Sequence, residues 1–124
     1  DGVLRGASGG HCDTAAAARL AIIVAPLVRG RIPTLVEQVT TCVTPGSSID
    51  ILVTDHGIAV NPARPELAQR LREAGLEVVS IDWLRARALQ LTGEPQPIAF
   101  TDKVVAVVRY RDGSVIDVVH QVVE

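Results

Sequence analysis

Two stretches of the chain, LAIIVAP at 20–26 and IDILVTD at 49–55, are apolar without alternation and rich in β-branched residues. A strand with one wet face alternates apolar and polar residues, whereas a strand covered on both faces reads as an unbroken apolar run. Both stretches therefore need a layer above and a layer below, and the parallel sheet of an α/β fold supplies it.

The intervening sequence supplies the helices. In PELAQRLREAG (65–75), Leu67, Leu71 and Ala74 recur at helical spacing, Pro65 suits a first turn and Gly75 stands where a left-handed cap belongs. LEVVSI predicts a third strand, followed by a helix through WLRARALQLTG with Asp82 as its cap, Leu84, Ala88 and Leu91 on one face and Gly93 at its end. Upstream, Asp13 is expected to cap a short helix in TAAAAR. The alternation in VTTCVT (39–44) predicts an extended segment stopped by Pro45 and Gly46, and HGIAV a short extended continuation of the second strand. After the proline-punctuated linker GEPQPIAF, KVVAVVRYR and SVIDVVHQVV flank Asp112 and Gly113, read as a two-residue hairpin turn. That pairing sets Val108 opposite Asp117 and Val107 opposite Val118, leaving both faces largely apolar, so the hairpin should pack against other structure. The expected fold is α/β: an open, mostly parallel sheet flanked by helices over 1–101, with a C-terminal β-hairpin over 102–124, read as one domain.

Composition narrows the function. A net charge of -2 with no basic stripe leaves no electrostatic footprint for a phosphate backbone, so no nucleic acid is expected. LAIIVAPLV, about nine residues, falls far short of the roughly twenty that span a bilayer. A cytoplasmic protein with no membrane contact is the expectation. Cys12 and Cys42 lack both the number of a disulfide scaffold and the spacing of a zinc site, and are read as reduced thiols. The absence of Met, and a glycine loop with no full strand before it, make the chain look like the C-terminal piece of a longer protein.

Three candidate chemistries stand out. Gly6, Ser8 and Gly10 have the spacing of a hydrolase elbow, with Asp55 or Asp82 and then His120 as nominal partners. This serine-hydrolase alternative is remote, because 124 residues are too few for the sheet that such an elbow sits in. Gly6, Gly9 and Gly10 ahead of a helix can instead turn amides toward an anion or polarised carbonyl, with Asp13 fixing the loop, or they simply make a tight turn. His11, Cys12 and Asp13 are adjacent and diverge, so no metal site is expected. TDHG breaks an apolar run with two ionisable groups at a strand end, where open α/β sheets gather ligands. His56 there is either a donor to a carboxylate or thioester carbonyl, or a satisfied histidine at a strand terminus. No acid in the chain is set as an activated nucleophile.

Across almost its whole length, through TTCVTPGSSID, TDHGIAVNPARPEL and YRDGSVIDVVHQ, the sequence resembles the C-terminal part of citrate lyase alpha subunits, which are citrate CoA-transferases. GGHCD is similar to the Gly-Gly-x-x-Asp element of family I CoA-transferases, and VTDHGIAV to the Val-Thr-Glu-Tyr-Gly-Val-Ala element of acetyl-CoA hydrolases and transferases. The resemblance implies a CoA-transferase-like half. Its activity would exchange acetyl for citryl, from acetate and citrate, on the thioester of an acyl carrier subunit. The carrier's thiol would belong to a phosphoribosyl-dephospho-CoA prosthetic group on the gamma subunit, with a beta lyase subunit as a further partner in a homo-oligomer or complex. The family's catalytic glutamate lies upstream of Gly-Gly-x-x-Asp, so no catalytic residue is carried onto this chain, and the segment alone is expected to be inactive. What it can carry is substrate-binding: Gly9, Gly10, His11 and Asp13 near the thioester, and Asp55, His56 and Gly57 near the substrate. A non-catalytic role, in which the apolar hairpin docks another subunit, is the alternative.

Overall fold

The computed structural model describes residues 9–123. A first helix, α1 (His11–Ala17), leads into β1 (Ile22–Val24), and a small hairpin of β2 (Val28–Arg29) and β3 (Ile32–Pro33) follows. An irregular stretch and a 3-10 turn at Gly46–Ser48 bring the chain to β4 (Ile51–Thr54) and β5 (Gly57–Val60). Then come α2 (Pro65–Glu73), β6 (Val78–Val79), α3 (Ile81–Thr92), β7 (Phe100–Arg109) and β8 (Val115–Val122).

The main sheet has the order β1-β4-β5-β6. β1 runs parallel to β4 with Ile22 beside Ile51, and β6 parallel to β5 with Val78 beside Ile58. The two unbroken apolar runs are thus neighbours in a parallel pairing, as their pattern predicted. HGIAV, however, does not prolong β4. It folds back as antiparallel β5, with Thr54 opposite Gly57 and Ile51 opposite Val60.

The helices follow their local signals. α2 has Pro65 in its first turn and ends in a Schellman motif, in which Gly75 at φ +81 and Leu76 donate to the carbonyls of Arg72 and Leu71. The cap of α3 is Ser80, whose hydroxyl accepts from the Trp83 amide at 3.1 Å, so Asp82 lies inside the first turn, where its charge still suits the helix dipole. Asp13 is likewise not a cap. α1 begins three residues earlier than that cap implies, with Gly10 at the N-cap position and no side-chain cap bond, and Asp13 sits in its first turn.

Packing gathers around α3. Leu84 and Ala88 are fully buried against Leu27 and Ala59, with Leu35, Leu52 and Val79 around them. Leu91, predicted for the same face, lies beyond this cluster and is exposed. A second anchor is polar: buried Asp50 accepts from the Ala21 amide at 2.8 Å and pairs with Arg64, which also donates to Glu66. Asn61 donates to the carbonyls of Ile49 and Gly46, closing the entry to β4. β1 itself stays open, with Val24 78 % exposed, because it forms the edge of the sheet.

In the C-terminal hairpin Val108 faces Asp117 and Val107 faces Val118, the predicted register. The turn differs. Tyr110 and Ser114 close a three-residue loop with Gly113 at φ +88, and a bulge between Val108 and Arg109 restores the alignment. β8 is half-buried and β7 mostly exposed. The stretch at 39–44 forms no strand. It lies against β8 through side chains, with Thr41 Oγ1 donating to the Val118 carbonyl and the Cys42 amide donating to Asp117.

Candidate functional site

A cleft of about 490 Å³ opens between α1, β1 and the 39–44 stretch. His11, Thr14 and Ala15 form one wall, Ile22 and Ile23 the floor, and Thr41 to Thr44 the far wall. Its surface is largely apolar with a few polar groups at the rim, the character of a site for a small organic ligand. His11 is exposed at the head of α1. Thr14 turns its hydroxyl back to the carbonyls of Gly10 and His11 at 3.0 and 3.1 Å, holding that head in place. The stabilising contact expected from Asp13 is therefore supplied by Thr14. On the far wall, Cys42 directs its thiol to the Thr44 carbonyl at 3.4 Å, and Thr44 Oγ1 is buried without a hydrogen-bond partner. Among the described residues that line the cleft there is no glutamate.

Gly10 has φ -73, an ordinary value, and a Cβ added at Gly9 or Gly10 would meet nothing within 4 Å. Positive φ is thus not what places glycine at either position. The amides at the start of α1 have no partner four residues back, as in every helix, and face out of its first turn.

Asp55 and His56 form the two-residue turn between β4 and β5, and Gly57 is the first residue of β5. The turn is fastened locally: Thr54 Oγ1 donates to the Gly57 carbonyl at 2.9 Å and accepts from the His56 amide at 3.1 Å. Gly57 has φ +149, and a Cβ there would lie 3.0 Å from Val79 Cγ2. Asp55 Oδ1 accepts from the Leu27 amide at 2.7 Å. That bond is the main reason the Asp55 carboxyl is held below the usual carboxylate range, with a smaller pull from His56, whose Nε2 lies 4.0 Å from Oδ2. The His56 side chain is 31 % exposed, open enough to meet a ligand.

The two predicted groups are not joined. Gly9, Gly10, His11 and Asp13 gather at the head of α1, where His11 alone of the four lines the cleft, and Asp55, His56 and Gly57 contribute nothing to its walls. Between Ile49 on the cleft wall and the Asp55 turn runs the whole of β4, about 13 Å of extended chain. The far wall and its support, Asp117, were not singled out in the sequence. The signal was Asp117, the one acid in the strand VIDVVHQV.

Of the residues in the elbow reading, Ser8 lies outside the described residues, while Asp55 accepts from the Leu27 amide and Asp82 lies in the first turn of α3. Among the described residues no three His, Cys, Asp or Glu side chains are grouped to hold a metal ion, and no helix is long and apolar enough to cross a membrane. Cys12 and Cys42 are free thiols. Of the arginines, Arg64 is committed to Asp50 and Glu66, while Arg29 and Arg31 are exposed at the β2–β3 turn.

A mixed open sheet with two parallel pairings, a glycine turn leading into a short helix, and a largely apolar cleft between that helix, β1 and the 39–44 stretch define an α/β module with a candidate binding site. Residues 1–122 match the family model described as citrate lyase, alpha subunit (CitF), and the chain belongs to that family. It is 84 % identical over 124 residues to the citrate lyase alpha chain of Escherichia coli (strain K12), covering all of this chain and 24 % of that relative. Identity to the citrate lyase alpha chain of Klebsiella pneumoniae is 70 % over 122 residues, 98 % of this chain and again 24 % of the relative. A crystal structure from Streptococcus mutans, described as an alfa subunit of citrate lyase in complex with citrate, superposes with a TM-score of 0.94 at 53 % identity. It is matched over 99 % of this chain and 24 % of its own length. The chain thus spans about a quarter of the relatives it matches.

Proposed function

We propose that this chain is the C-terminal part of a citrate CoA-transferase that exchanges acetyl for citryl on the thioester of an acyl carrier subunit. The observation that carries the proposal is the match to the citrate lyase alpha family along residues 1–122, strengthened by likeness to a structure described in complex with citrate. The beta lyase and gamma carrier subunits would be partners in a cytoplasmic complex, and the carrier thioester, on a phosphoribosyl-dephospho-CoA group, the substrate.

In this reading the attacking carboxylate comes from polypeptide outside these 124 residues. It adds to the acetyl carbonyl and the carrier thiolate leaves; that thiolate then attacks the enzyme-side carbonyl of the anhydride, forming a glutamyl thioester and releasing acetate, and citrate enters by the reverse sequence. This chain's part is electrostatic. Amides at Gly9, Gly10 and His11 would receive the oxyanion as charge develops on the acyl oxygen, with Asp13 beside them. Asp55, His56 and Gly57 would form a second contact, with His56 donating to a substrate carboxylate. The apolar cleft walls would exclude water from the thioester.

The test uses a full-length protein containing this segment, with acetyl-carrier and citrate as substrates. Replacing the amide of His11, the first residue of α1, by His11→Pro, or the side chain of His56 by alanine, should lower citryl transfer by about a hundredfold or more, the usual cost of losing one aligned donor. The 124-residue segment alone should show no transfer. Unchanged rates in both histidine variants would remove these residues from the site.

A second reading, a docking surface for another subunit, is favoured by the exposure of Val104, Val105 and Val107 on β7. Deleting residues 103–124 distinguishes the two if complex assembly and acyl transfer are measured separately.

A further inference from the structure

The far wall of the cleft has no regular backbone ladder of its own. Thr41 to Thr44 belong to neither helix nor strand, yet these residues face α1 across the space that would take the acyl group. Their attachment to the C-terminal hairpin is by side chain. The Cys42 amide donates to Asp117 Oδ2 at 2.6 Å, and Thr41 Oγ1 donates to the Val118 carbonyl at 3.2 Å. The second oxygen of the same carboxylate, Oδ1, accepts from the Val118 amide at 2.8 Å, which fixes how Asp117 presents itself to Cys42.

We propose that Asp117 is a positioning residue: its carboxylate, borne on β8, sets the location of the Thr41–Thr44 wall and thereby the width of the cleft. The proposal rests on the cleft being the acyl-thioester site described above. A charged acceptor makes shorter and stronger bonds to amides than a neutral one. Only a carboxylate gives an acceptor to both amides, since asparagine at this position would turn an NH₂ toward one of two N–H donors. Loop segments lacking a ladder open at the low end of the local stability scale, so loss of this contact should release the wall without unfolding the sheet. The hairpin then shapes the site although none of its own residues is among those that line it.

Two cysteines make the idea measurable. Cys42 is in the wall and Cys12 on α1, and both are half-buried free thiols. In the full-length polypeptide carrying Asp117→Asn, and separately Asp117→Ala, iodoacetamide labelling of each thiol is followed by peptide-resolved mass spectrometry. Labelling of Cys42 should accelerate by about tenfold while Cys12 changes by less than about twofold, the signature of local opening. In the same variants, KM for the carrier thioester should rise with kcat little changed, because the wall binds and does not react. Unchanged labelling of Cys42 overturns the proposal whatever the activity shows. A parallel rise at both cysteines overturns it too, since the carboxylate would then support the whole fold and not this wall. Faster Cys42 labelling with KM unaltered removes the positioning role. A wild-type protein without citryl transfer refutes the functional reading of the cleft and leaves the labelling ratio to decide the clamp.

Discussion

Gly57 shows how a residue can be flagged for one reason and required for another. In the sequence it completes TDHG, an interruption that pointed to chemistry. In the structure its φ of +149 and the 3.0 Å approach of Val79 Cγ2 to a would-be Cβ make any side chain strained and crowded. Gly57→Ala should therefore destabilise the protein by roughly 1–3 kcal/mol, read as a lower urea midpoint with an unchanged slope. Asp55 beside it has a dual appearance as well. Its carboxylate is ionised more readily folded than unfolded because the Leu27 amide donates to it. The stability it contributes is complete above the unfolded value of about 3.9 and is lost as pH falls through the lower folded value. Asp55→Asn should be less stable than its parent at pH 7, with the gap closing below about pH 4 in parallel urea titrations. A difference that persists at pH 3 would show that the charge is not what matters. The partner was illegible in the sequence because Leu27 lies 28 positions away. Asp50 and Asp117 were hidden in the same manner, each a single acid whose amide donor is brought to it only by the fold.

Elements were legible wherever their signals are local. Pro65 and Gly75 bracket α2 and Gly93 ends α3, since capping and left-handed geometry act within a few residues. The cap of α3 was misread by two positions because Ser80 and Asp82 are both good caps, and Ser80 is the one placed to reach the Trp83 amide. The stretch at 39–44 alternates like a strand and forms none, because its contacts to β8 are made by side chains and not by a ladder. The hairpin register was right despite a wrong turn length: the one-residue bulge offsets the extra loop residue. α3 is the element on which the core depends. Leu84 is fully buried beside Leu27, Ala59 and Ala88. Leu84→Ala should cost about 2–5 kcal/mol, whereas Leu91→Ala on the exposed end of the same helix should cost far less. Equal losses in denaturant melts would show that the packing centre lies elsewhere.

At the scale of the molecule, surface is the informative quantity. The chain presents 8974 Å². A compact monomer of 13.1 kDa presents about 6,400 Å². Apolar strand residues are part of that surface: Ile22, Ile23 and Val24 on β1 and Val104, Val105 and Val107 on β7 are all exposed by 43 % or more. The sequence read β1 as covered on both faces, and relatives about four times as long have the polypeptide to cover it. Amide hydrogen exchange at Ile22–Val24 should accordingly be slower in a full-length protein than in the 124-residue segment, by about tenfold or more where a new strand pairs with the edge. Equal exchange in the two would mean that β1 remains a true border. The bare flank of β1 also bears on how such a protein is made. During synthesis and early folding, Ile22–Val24 stays available until a neighbouring strand seals it, and unpaired apolar strands are what nascent-chain chaperones grip and what aggregates grow from. Expression at lower temperature or with extra chaperone should therefore rescue soluble yield more for the segment than for a longer polypeptide.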